Sequence, residues 1–103
     1  MRVYAVATSE VQEDSTLTDA EVFTSRANAE RHAHDFMFRC VGDFLDIDPA
    51  DVDARRRALE KRLFLDKRPS ETRYLYECEG LVLSATVQES SIRVPNKAGR
   101  RVL

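Results

Sequence analysis

Seven apolar residues, Ala29, Ala33, Phe36, Met37, Cys40, Val41 and Phe44, recur at steps of four, three, one, three, one and three. That spacing keeps them on one face of a 3.6-residue helix for four turns, and such a face must be buried against another layer. Ser25 stands just ahead of it, with a hydroxyl able to accept a hydrogen bond from a free N–H of the first turn. Gly42 weakens the last turn without having to end the helix.

The strands around this helix supply the second layer. Arg2–Thr8 alternates two largely apolar sets, as an inner strand with cover on both faces does. Ser9–Asp19 is polar and reads as a long hairpin connection, and Ala20–Thr24 as a second short strand pairing antiparallel with the first. A second helix start follows at Asp48-Pro49-Ala50-Asp51, with an N-cap carboxylate and a proline at the first helical position. The pattern predicts a helix from Pro49 to Leu65, stopped by Asp66–Ser70. Arg73–Glu79 and Leu81–Gln88 alternate as strands on either side of Gly80, which marks a turn or bulge.

The order β-β-α-α-β-β predicts an α+β fold: a two-layer sandwich of a four-stranded antiparallel sheet with both helices on one face. Residues 1–92 make one expected domain. Residues 93–103 read as a basic, partly mobile tail, with Ile92 the one apolar anchor before it. The chain has 103 residues, 43% hydrophobic and 33% charged, which fits a globular domain and not a disordered one. No apolar run approaches the ~20 residues of a membrane span. The apolar stretch at Met1–Thr8 is short for a signal peptide and is soon followed by acidic residues, so the cytoplasm is the expected compartment. Cys40 and Cys78 are far apart, without a second ligand at metal spacing, and read as reduced thiols in the core.

A net charge of −2 conceals an asymmetry. Residues 1–54 hold four basic and twelve acidic residues, a net of −8, and residues 55–103 hold twelve basic and six acidic, a net of +6. The split points to charged partners, or to acidic and basic elements lying side by side. Its acidic focus is Asp43, Asp46, Asp48, Asp51 and Asp53. An EF-hand counted from Asp46 would need a ligand at Ala50, a glycine at Asp51 and a glutamate at Arg57, so calcium is rejected. Helix capping and an acidic docking patch remain. The basic focus is Arg55, Arg56, Arg57, Lys61, Arg62, Lys67 and Arg68, seven cations within fourteen residues. Three consecutive arginines fan over about 200° of a helix, so at least one faces the other helix or the sheet rim. Arg57, Lys61 and Arg68 are spaced to form one outward stripe. Contact with phosphates, contact with an acidic protein, and neutralisation of the acidic half all fit.

Catalytic signals are sparse. His32 and His34 are two apart and diverge by about 200° on a helix, whereas helical metal ligands sit four apart. There is no G-x-S-x-G, Walker A or G-x-G-x-x-G, and Ser25, Ser84 and Ser90 have no base at an arguable spacing. No helix-turn-helix, zinc or aromatic-RNP pattern accompanies the basic residues, and Tyr4, Tyr74 and Tyr76 fall on strands where core packing accounts for them. No catalytic residue, metal or cofactor is therefore assigned.

Three segments carry a resemblance: Val3-Tyr4-Ala5-Val6, Val22-Phe23-Thr24-Ser25 leading into an Ala-containing helix, and the closing strand Ala85-Thr86-Val87-Gln88-Glu89. This layout resembles small accessory proteins of phages and mobile elements, some of which are anti-CRISPR or other anti-defence inhibitors. The resemblance implies a non-enzymatic inhibitor that works by occlusion, and transfers no site residues. The expectation is a protein-binding module acting through charged helical faces, with a nucleic-acid-binding accessory protein using Arg55–Arg68 and the basic tail as the alternative. A homodimer through exposed sheet edges is a further expectation.

Overall fold

Ser25 caps the long helix as its position suggests, accepting a hydrogen bond from the Asn28 N–H at 3.2 Å. In the computed structural model, which describes residues 1–91, this helix is α1, Arg26–Phe44. Ala29, Ala33, Met37 and Val41 are fully buried, while Phe36, Cys40 and Phe44 flank them half-buried. The stripe lies across strands β1 (Arg2–Gln12) and β5 (Leu81–Ser91). Val6, Leu81, Leu83, Ala85 and Val87 meet it from the sheet, joined by Tyr74, Tyr76 and Leu59. Each large apolar side chain buried there contributes about 1.5–3 kcal/mol, which fixes α1 on the middle of the sheet.

The fold is α+β with five antiparallel strands, one more than the sequence pattern predicts, in the order β2-β1-β5-β4-β3. The extra strand is β3, Phe64–Lys67, paired with β4, Glu71–Cys78. It takes residues that the pattern assigns to the end of the second helix. That helix, α2, is only Val52–Glu60: it starts three residues later than Pro49, with Asp51 and not Asp48 as N-cap, and ends five residues before Leu65. Helical periodicity alone could not exclude this outcome, because Leu63, Phe64 and Leu65 also form a short apolar run of strand length. Strand pairing won by covering the outer backbone edge of β4, which would otherwise lie open.

The second difference is at the amino-terminal hairpin. β1 runs on to Gln12 and β2 spans Ser15–Phe23, so Glu13 and Asp14 form a two-residue turn where a long connection is expected. β2 is an edge strand exposed over nearly its whole length. It has no need of apolar alternation, so the polar stretch Ser15–Asp19 reads as connection, and only its end, Ala20–Phe23, coincides with the predicted second strand. Glu79 and Gly80, with φ of 45° and 89°, make the tight β4–β5 turn at the predicted place.

Both helices lie on the same side of the molecule, but α1 alone spans the sheet and α2 packs on α1. The tail 93–103, with Ile92, lies outside the described residues. Among the described residues no helix is long and apolar enough to cross a membrane.

A polar tie holds the β3–β4 hairpin to α1. Arg26 donates to the carbonyls of Pro69 and Arg68 at 2.5 and 2.7 Å, and Glu30 accepts from Thr72 Oγ1, Arg26 Nε and Lys67 Nζ at 2.9, 3.1 and 3.2 Å. Burial alone would raise the Glu30 carboxyl, but the donors Thr72, Arg26 and Lys67 together hold it below its ordinary 4.5. A depressed folded-state value stabilises the fold above the unfolded value and is lost as pH falls through the folded one. Glu30→Gln is therefore expected to melt at a lower temperature than the native chain at pH 7. That difference should shrink below about pH 4.5, as melts at pH 7 and pH 3 would reveal.

Candidate functional site

The two charged runs meet at the α1–α2 junction, and much of their charge is engaged there. Asp48 accepts from the Ala50 N–H at 2.9 Å, Asp51 caps α2 through the Ala54 N–H at 3.1 Å, and Asp53 pairs with Arg56 at 2.7 Å. Asp43 pairs with Arg55 at 3.2 Å, and Asp46 sits at the turn with φ 56°. Capping and turn formation thus occupy two of these five carboxylates, Asp48 and Asp51, and ion pairing two more, Asp43 and Asp53.

Arg55 is the inward-facing member of the three arginines. It is only 5% exposed and reaches over Gly42 of α1, where Nε donates to the Ile47 and Asp48 carbonyls at 3.0 and 3.4 Å. Its Nη2 also donates to the Ile47 carbonyl and to Asp43. Gly42 is required by this close approach, since a Cβ there would lie 2.5 Å from Arg55 Cζ and 2.6 Å from Nε. Arg55 locks the two helices together and is not presented to a partner.

The outward cations divide again. Lys67 pairs with Glu30 and Arg68 with Asp66, at 3.2 and 3.0 Å, and Arg56 is held by Asp53. Arg57, Lys61 and Arg62 are exposed and have no ion-pair partner among the described residues. Arg57 and Lys61 follow one another by one helical turn at the end of α2. Arg68 belongs to the β3–β4 connection and does not extend their stripe.

Lys61 and Arg62 border a cleft of about 310 Å³ between the end of α2, Leu45 and the β4–β5 hairpin. Leu45, Ala58, Tyr76 and Cys78 give it apolar walls, and Glu79 is its one acid. Burial, and then the neighbouring Cys78 thiol, push the Tyr76 phenol above its ordinary 10, so it stays neutral at physiological pH. Sequence reading found the cations of this site but not its apolar walls. Leu45 falls just past the apolar stripe of α1, and nothing in the sequence around Tyr76 or Cys78 shows that α2 ends beside them.

A second groove of about 310 Å³ runs between α1 and the β1–β2 hairpin and contains Glu10, Asp19, His32 and Cys40. His32 lies against the Phe23 ring, 5.2 Å between centroids, with Nε2 3.4 Å from Glu21 Oε1. His34 sits apart, beside Phe38. Burial first, and then the Glu10 carboxylate, push the Cys40 thiol up to about 11, the reverse of activation. At pH 8 about one Cys40 in a thousand is thiolate, so iodoacetamide should label it roughly 100-fold more slowly than an ordinary cysteine, measured by mass spectrometry of the peptide. Among the described residues no group of three His, Cys, Asp or Glu side chains could hold a metal ion.

Fold and site together define a small α+β domain with a cationic, apolar-walled surface cleft. No protein-family model, curated protein or solved structure matches the chain.

Proposed function

We propose that this chain is a non-enzymatic protein-binding module that docks an acidic partner surface on the end of α2 and acts by occluding it. What supports the reading is the combination at one place of unpaired Arg57, Lys61 and Arg62 with the apolar cleft beside Leu45. A nucleic-acid backbone needs cations, but has no use for an apolar-walled cleft without an exposed aromatic on which a base can stack. A protein partner uses both, seating an apolar anchor in the cleft with carboxylates on its rim. An inhibitor of the anti-defence kind, cytoplasmic and with its Cys40 and Cys78 thiols free, is the form of this reading that the sequence resemblance favours.

The test is affinity capture from host lysate with the full chain as bait, with and without nuclease, at about 0.1 M and about 0.5 M salt. A protein that survives nuclease and is depleted at high salt supports the reading. Capture that disappears with nuclease assigns the surface to nucleic acid instead.

A further inference from the structure

β2 is the long open edge of the sheet. Among the described residues nothing pairs with its outer side, whereas the opposite edge strand, β3, is only four residues long. The tight turn at Glu13-Asp14 fixes which backbone groups of β2 point outward. Gln12 and Ser15 close that turn as a hydrogen-bonded pair, so Leu17, Asp19 and Glu21 also bond to β1. Thr16, Thr18, Ala20 and Val22 alternate with them and direct their N–H and C=O groups away from the sheet. These groups form a row about 20 Å long, with no proline or bulge to interrupt it.

Charge decides what can add to this row. Between Arg2 and Arg26 the chain holds five acids, Glu10, Glu13, Asp14, Asp19 and Glu21, and no cation. Asp19 and Glu21 lie on the helix side of β2, with Glu10 on β1 beside Leu17. Glu21 has His32 at 3.4 Å and Arg39 lies along the same groove, but Glu10 and Asp19 have no ion-pair partner among the described residues. A second copy of β2 is a poor match. The antiparallel register that engages all four outward residues sets Asp19 against Asp19, and Leu17 against Glu21.

We propose that this edge binds an extended basic segment of a partner protein, which adds to β2 as a further strand of the sheet. The main chain of that segment pairs with the outward N–H and C=O groups, and lysines or arginines at its alternate positions face Asp19 and Glu21. The residues between them lie beside Thr16, Thr18, Ala20 and Val22, which are uncharged and exposed, and small or β-branched side chains fit there. A nucleic acid brings neither the row of amides nor the positive charge. The α2 cleft borders β4, across the sheet from β2, so this site does not depend on the acidic-partner reading.

Amide hydrogen exchange of the full chain, followed by NMR, tests it with a synthetic peptide of alternating lysine and valine as the probe. Bound peptide should slow exchange at Thr16, Thr18, Ala20 and Val22 by ~10-fold or more. Leu17, Asp19 and Glu21, already bonded to β1, should change little. Thr18→Pro removes one outward N–H that the pairing with β1 does not use, so the chain should stay folded by circular dichroism and lose the protection. Asp19→Lys with Glu21→Lys should lower affinity for this peptide about 10-fold and raise it for a peptide of alternating glutamate and valine. No slowing at peptide concentrations up to ~1 mM overturns the proposal. So does equal binding of the two peptides by the native chain. Protection of the four amides that rises with the concentration of the chain alone also overturns it, and assigns the edge to a second copy.

Discussion

Arg55→Ala lowers the free energy of unfolding by roughly 2–4 kcal/mol, the largest loss expected from any charged side chain here. The guanidinium is the donor for the Ile47 and Asp48 carbonyls and fills the space over Gly42. Its removal leaves the Ile47 carbonyl without its donor, while the Asp48 carbonyl keeps the Asp51 N–H at 2.9 Å, and leaves the α1–α2 junction underpacked. The Asp43 partner contributes less, because that carboxylate is 65% exposed and its charge is screened by water. Gly42→Ala gives the sharper test. With Arg55 present, the new methyl group collides with the guanidinium and costs about 1–3 kcal/mol. With Arg55 already replaced by alanine the collision is gone, and alanine exceeds glycine in helix preference by about 1 kcal/mol, so the same substitution should stabilise. Urea titrations of the four proteins read this change of sign. Losses that simply add would show that Gly42 and Arg55 do not share the space.

The second large effect concerns binding. Lys61→Glu with Arg62→Glu reverses two unpaired cations at the mouth of the cleft, and should weaken the captured partner by roughly 10–100-fold while leaving the melting temperature nearly unchanged. Lys67→Glu with Arg68→Glu makes the same change in net charge on cations already engaged by Glu30 and Asp66. It should weaken binding far less, and should cost stability instead. Equal losses of affinity in the two variants would mean that only net charge matters, and the cleft would then have no special part.

The elements most legible in the sequence were those where local chemistry and tertiary packing agree. The α1 stripe from Ala29 to Phe44, its Ser25 cap and the Glu79-Gly80 turn each carry their own local signal. β2 was legible only at its end, where Ala20–Phe23 falls in the predicted strand Ala20–Thr24; Ser15–Asp19 carried no signal, because an edge strand held by its backbone to β1 can be polar on both faces. β3 was hidden for another reason: Phe64 and Leu65 continue the apolar pattern of α2, and only the pairing partner Tyr74-Leu75 distinguishes strand from helix. The site was half legible. That one arginine of the run turns inward follows from helical geometry, but that it is Arg55 depends on Gly42, thirteen residues earlier in the chain.

Amide chemical shifts of the full chain, followed as the captured partner is added, test the central claim most directly. Docking at the end of α2 should move Leu45, Ala58, Lys61 and Tyr76 together and leave Ala5, Ala7 and Thr86 in place. Shifts confined to the helix-free face of the sheet, or appearing only when nucleic acid is present, would contradict it.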